Sequence, residues 1–158
     1  MKHFVKFLRS LKMPVRVKIR IRTLKGLKAN KAIESNALLN TGYIGSSPEI
    51  IVPVRLAEET GLWPPPIDAV ESTYDTAGGP ARFYAIKQAI TLQVVEDDTA
   101  SKELTTDVVI SPMEREALLS DVVIGELEIA IMNAHKGYWR FNFDPPNKTR
   151  YTKNVELW

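Results

Sequence analysis

Cysteine is absent from the 158 residues, which excludes a disulfide framework and thiol catalysis. Histidine is nearly absent too: His3 and His135 are the only two, too few ligands for most zinc sites. The expectation is a protein with neither metal nor cofactor. No apolar run approaches the roughly 18 residues of a membrane span. The N-terminus lacks the apolar stretch and small-residue cleavage site of a signal peptide, so an intracellular, cytoplasmic location is expected. Acid is missing from residues 1–31, which carry 11 Lys/Arg, whereas residues 32–158 carry 10 Lys/Arg against 19 Asp/Glu. The formal charge of +2 therefore hides a head of +11 and a body of −9. Chemistry, if any, falls to carboxylates, hydroxyls or amines. The length, with 44% hydrophobic and 25% charged residues, fits one domain with a sizeable core.

The chain divides into a basic leader (1–13), a main domain (14–144) and a polar tail (145–158). In the leader, Phe4, Phe7, Leu8 and Leu11 recur at helical spacing with Lys2, Lys6, Arg9 and Lys12 on the remaining face. Such a basic amphipathic segment suits an anionic membrane or an acidic partner, or is an ordinary frayed end. Val15, Val17, Ile19 and Ile21 then alternate with Arg16, Lys18, Arg20 and Arg22, predicting a strand whose cationic face is solvated or pairs with the acidic body. No aromatic residue is interleaved there for base stacking, so nucleic acid is not an expected partner.

Ala32 to Leu39 reads as a second strand, and Pro53 to Thr60 as a short Pro-started helix stopped by Gly61. Residues 69–74 and 81–95 read as strands joined through Asp75-Thr76-Ala77-Gly78-Gly79-Pro80, a hairpin with a small, Gly-rich tip. Further strands are predicted at Thr105–Ile110, at the apolar run Val122-Val123-Ile124-Gly125 and at the aromatic Tyr138–Phe143; Glu126–Ile131 alternates like a strand or a curtailed turn. The fold class is all-β with one or two short helices.

The informative stretch is Ala37-Leu38-Leu39-Asn40-Thr41-Gly42-Tyr43, followed by Ile51-Val52-Pro53 and the helix. This order of strand, polar Gly turn, small-residue loop and helix resembles the retropepsin-like aspartic proteases, whose signature is a hydrophobic strand entering Asp-Thr/Ser-Gly-Ala. The later landmarks are similar in order: a hairpin with Gly78-Gly79, an apolar-apolar-Gly strand at Val123-Ile124-Gly125, and a terminal aromatic strand at Gly137–Phe141. The resemblance covers roughly residues 32–141. It implies a closed-barrel-like acid-protease fold, one lobe per chain, working as a symmetric homodimer on extended peptide or unfolded protein. Asn40, Thr41 and Gly42 would occupy the catalytic loop. Tyr74, Asp75, Thr76, Ala77, Gly78 and Gly79 of the flap, with Ile124 and Gly125, would contact substrate.

In such an enzyme two carboxyls share one proton, because close like charges cannot both ionise; one then takes a proton from the attacking water while the other protonates the carbonyl. Here Asn40 stands at the catalytic Asp position, and an amide cannot serve as general base. The chain as written is expected to be inactive, through either an engineered Asp-to-Asn change or a natural non-catalytic relative that binds peptides. No other pair of acids offers a rival dyad, and Asp121 reads as a turn residue.

Overall fold

A computed structural model describes residues 14–26, 28–76 and 79–158. The helical reading of the leader falls outside them, as do Ala77 and Gly78 at the hairpin tip.

Strand β1 (Arg16–Thr23) buries Val17, Ile19 and Ile21 on one face, as period-2 alternation requires. It pairs antiparallel with β2 (Ala32–Leu39), whose bounds match the sequence expectation. After β3 (Glu49–Pro53), the helix α1 (Val54–Glu59) starts behind Pro53 and buries Leu56 and Ala57. Strands β4 (Val70–Thr76) and β5 (Gly79–Val94) form the long hairpin, followed by β6 (Leu104–Ser111) and the three-residue β7 (Ala117–Leu119). The sheet order is β1-β2-β7-β3-β6-β5-β4, and pairing of β1 with β5 closes six of these strands into a barrel. β4 hangs outside on β5. Residues 79–83 of β5 pair with β4 alone, so the hairpin forms an arm that runs on past the end of β6.

Parallel pairing needs a crossover, and two places in the barrel use it: β2 lies parallel to β7, and β3 parallel to β6. The three residues of β7 are thereby wedged between β2 and β3, with Ala117 and Leu119 fully buried.

Three expectations for the chain after β7 need correction. Val122–Gly125 is not a strand buried on both faces: it belongs to helix α2 (Asp121–Glu126). Ser120 caps that helix, its Oγ accepting the Val123 amide at 3.4 Å, and Asp121 places negative charge in the first turn. Asp121 is thus the first helical residue rather than a turn residue. Val123, Ile124 and Leu127 reach the core, and Gly125 is exposed with nothing within 4 Å of an added Cβ. The alternation at Glu126–Ile131 becomes a strand only from Ile129.

That strand, β8 (Ile129–Asn133), joins β9 (Tyr138–Phe141) and β10 (Arg150–Tyr151) in a separate three-stranded sheet. Its inward Trp139 and Phe141 are fully buried and belong to the same apolar cluster as the barrel. The polar tail supplies β10 and packs back on the barrel: Thr152 Oγ1 accepts the Arg16 amide at 2.7 Å, and Trp158 Nε1 donates to Ser35 Oγ at 3.0 Å. Arg150 is held on both sides. Its guanidinium bonds Asp144 at 2.8 Å and Asp98 at 2.7 and 3.0 Å, and it lies over the rings of Trp139 and Phe141. Hydrogen bonds from Arg150 hold the Asp98 carboxyl down at about 2 and lower that of Asp144 as well.

The cationic face of β1 is only partly solvated. Lys18 and Arg20 are exposed, but Arg16 is fully buried and forms an ion pair with Glu116, Nε to Oε2 at 2.9 Å and Nη2 to Oε1 at 3.1 Å.

Candidate active-site loop

The turn at Asn40 sits on a braced base. β2 delivers it beside β7, where the Asn40 amide donates to the Leu119 carbonyl at 3.0 Å. The Asn40 carbonyl accepts the Tyr43 amide at 3.0 Å, closing the turn, and the Asp121 amide donates to the Tyr43 carbonyl at 3.0 Å. Ser120, fully buried, ties in the far end of the loop: its amide donates to the Glu49 carbonyl at 3.2 Å and its Oγ accepts the Glu49 amide at 3.3 Å. The junction of β7 and α2 therefore fixes both ends of residues 40–49. β7, not Val123-Ile124-Gly125, is the short apolar strand that runs behind this loop.

On that base Asn40 is half-buried, while Thr41 and Gly42 are exposed. The Thr41 hydroxyl has no hydrogen-bond partner within the described chain, and a Cβ on Gly42 would meet only Asn40 Oδ1, at 3.9 Å. Ile44 projects beside them, 84% exposed.

Asp107, which the sequence reading did not single out, holds the next part of the loop. Its carboxylate is buried on β6, where Oδ2 accepts Ser47 Oγ at 2.9 Å and Lys87 Nζ at 3.1 Å, and Oδ1 accepts the Gln88 amide at 2.7 Å. Its own amide donates to the Pro48 carbonyl at 2.9 Å. Burial alone would push the Asp107 carboxyl up. The bonds from Gln88, Lys87 and Ser47 outweigh it and bring it below the usual carboxylate range. Gln88 lies at positive φ, 48°, within the β5 bulge between Ile86 and Ile90, so one carboxylate clamps loop and bulge together. A clue was present in the sequence: an acid directly before the apolar run Val108-Val109-Ile110, within the predicted strand, must find partners if the strand is central.

Of the flap residues, Tyr74, Asp75, Thr76 and Gly79 lie on the β4–β5 arm, in register up to Thr76 opposite Gly79. The sheet order puts this arm on the flank of the barrel, beyond β5, rather than next to β2. Ile124 packs in the core, and Gly125 stands on the exposed side of α2. Among the described residues, no group of three or more His, Asp or Glu is placed to hold a metal ion, and no helix is long and apolar enough to cross a membrane. Compared with protein-family models and with curated proteins, the chain matches none.

Proposed function

We propose that this chain is one protomer of a homodimeric, retropepsin-like aspartic endopeptidase, interrupted at Asn40. The observation that carries the reading is the Asn40-Thr41-Gly42 turn. Asn40 is half-buried, Thr41 and Gly42 are exposed, Thr41 has no hydrogen-bond partner among the described residues, and the turn stands on a base fixed by Leu119, Ser120 and Asp121. One such turn holds one dyad position, so the chemistry needs a second copy, related by a two-fold axis. Thr41 would then bond across that axis, and Gly42 would leave room for the partner backbone. The β4–β5 arm offers main-chain groups to an extended peptide, which would bind as an added strand. With aspartate at both 40 positions, the pair would share one proton, activate water and protonate the scissile carbonyl. With asparagine, the loops can orient water but not deprotonate it.

The test is Asn40→Asp in the otherwise unchanged chain, with sedimentation to establish the dimer. The expected result is cleavage of unfolded protein with a bell-shaped pH–rate profile, blocked by a statine-type transition-state mimic. A folded, dimeric variant that cleaves nothing from pH 3 to 8, on several substrates, would sink the proposal. A second reading, a natural pseudo-protease that binds extended peptides, is favoured by Tyr43. This bulky residue stands where the family signature carries Ala, so the signature is altered at two positions rather than one. Peptide affinity that is unchanged by Asn40→Asp, without cleavage, would select that reading.

A further inference from the structure

We propose that Ile44 is the apolar anchor of a two-fold interface between two copies of this chain, seated beside the Asn40-Thr41-Gly42 turn. The inference rests on the reading of Asn40 as one half of a dyad, and it names the contact that holds the two halves together. Ile44 and Ile67 are the most exposed of the large apolar side chains among the described residues, Ile44 at 84%. Exposure alone does not select between them. Position and charge do. The Asn40 carbonyl accepts the Tyr43 amide, so residues 40–43 form one β-turn whose end Cα atoms lie less than about 7 Å apart, and one further residue adds about 3.8 Å. The Cα of Ile44 therefore stands within about 11 Å of that of Asn40. An interface of ordinary size covers roughly 800 Å² on each partner, a patch about 16 Å in radius. With the two residues 40 on the axis, both Ile44 side chains fall inside it.

A two-fold interface brings each surface against its own copy, so charges near the axis meet like charges. Residues 35–48 form the longest run without a charged side chain in a sequence that is 25% charged. Of the acids around the loop, Asp107 is buried and bonded to Lys87, Asp121 belongs to the base, and Glu49, also at the base, reaches back to Gly45. The tip from Asn40 to Ile44 carries only neutral side chains. Ile67, by contrast, adjoins Asp68, which pairs with Lys25 at 3.2 Å. Thr41 and Gly42, both exposed and small, let the backbone of a second copy come close to Ile44. The bonds from Leu119, Ser120 and Asp121 hold the loop in place before it meets a partner, which lowers the entropy cost of association.

The experiment is sedimentation equilibrium of the full chain, asparagine kept at position 40, over a range of concentrations. The expected species is a dimer. Ile44→Asp removes one apolar contact from each protomer, roughly tenfold apiece, and should weaken the dimer about a hundredfold. The introduced carboxylate also faces its copy, so part of that loss should disappear as pH falls from about 7 toward 4, whereas Ile44→Asn should show no such recovery. Ile67→Asp should sediment as wild type, and circular dichroism should show all three variants folded. Because the chain has no cysteine, Ile44→Cys supplies a single thiol, and a short bismaleimide should link two copies through it while Ile67→Cys stays unlinked. A monomer at every concentration, a dimer indifferent to Ile44→Asp, or a dimer broken by Ile67→Asp would overturn the proposal. The catalytic reading fails separately: a dimer that Ile44→Asp separates, but whose Asn40→Asp form cleaves nothing, removes the protease and leaves the interface standing.

Discussion

Replacing Glu116 with Gln removes the only negative charge among the described residues that bonds a guanidinium solvent does not reach. Arg16 is 0% exposed, its Nη1 already lacks a hydrogen-bond partner, and Glu116 engages both Nε and Nη2. The isosteric amide keeps one acceptor but leaves the buried cation uncompensated. Removing one member of a buried pair costs about 3–5 kcal/mol, and the retained acceptor places this variant near the lower end. That is a large share of the roughly 5–15 kcal/mol that holds a domain together. For a chain of this size it lowers the melting temperature by about 6–12 °C. Urea unfolding followed by tryptophan fluorescence and circular dichroism measures the loss, with an unchanged m-value showing that the transition stays two-state. The paired change Arg16→Met with Glu116→Leu is expected to recover most of it, since apolar replacement of a whole buried pair is often neutral or stabilising. A loss under about 1 kcal/mol for Glu116→Gln, or a double variant no better than the single one, would refute the reasoning.

Two further outcomes follow from the other buried charges. Arg150 depresses the carboxyls of Asp98 and Asp144 from their ordinary value of 3.8, so the stabilisation they give is complete above that value and is lost as pH falls below it, for Asp98 toward about 2. Melting curves between pH 2 and 6 should show the wild type losing this increment, with the gap between it and Arg150→Met narrowing at the acid end. Asp107→Ala strands the Ser47 hydroxyl and the Gln88 amide and is expected to cost about 2–3 kcal/mol. Hydrogen exchange at the Gln88 amide should speed up, and Asp107→Asn should restore part of the protection.

The parts of the fold that local pattern dictates were legible in the sequence. Strict alternation located β1, and the Pro53 start and Gly61 stop located α1. The run Val122–Gly125 was misread because four apolar residues carry no period. What decided it was the Ser120 cap and Asp121 in the first turn, a signal lying just before the run. Arg16 looked like its neighbours Lys18 and Arg20 because its partner is 100 residues away. The tail looked polar for the same reason: Arg150, Thr152 and Trp158 satisfy their polar groups on distant elements that no local window contains. The Asn40-Thr41-Gly42 turn and, on the flank of the barrel, the β4–β5 hairpin could be read directly. The Ser120 and Asp107 clamps that fix the loop depend on tertiary pairing and could not.

The bonds between Arg16 and the segment at Thr152 and Lys153 also govern how the molecule is made. The Arg16 amide and carbonyl find their partners 136 and 137 residues later in the chain. At a synthesis rate of about 5–20 residues per second, β1 emerges from the ribosome roughly 7–30 s before the residues that complete it. Until β2 and β5 have paired with it, it presents alternating Val and Ile with unmatched edges, and Arg16 waits 100 residues for Glu116. Vectorial folding can assemble the β4–β5–β6 part first and close the barrel once β7 has emerged, whereas the Arg16 backbone groups still wait for Thr152 and Lys153. The nascent chain is therefore a natural client for chaperones that hold exposed β-strands.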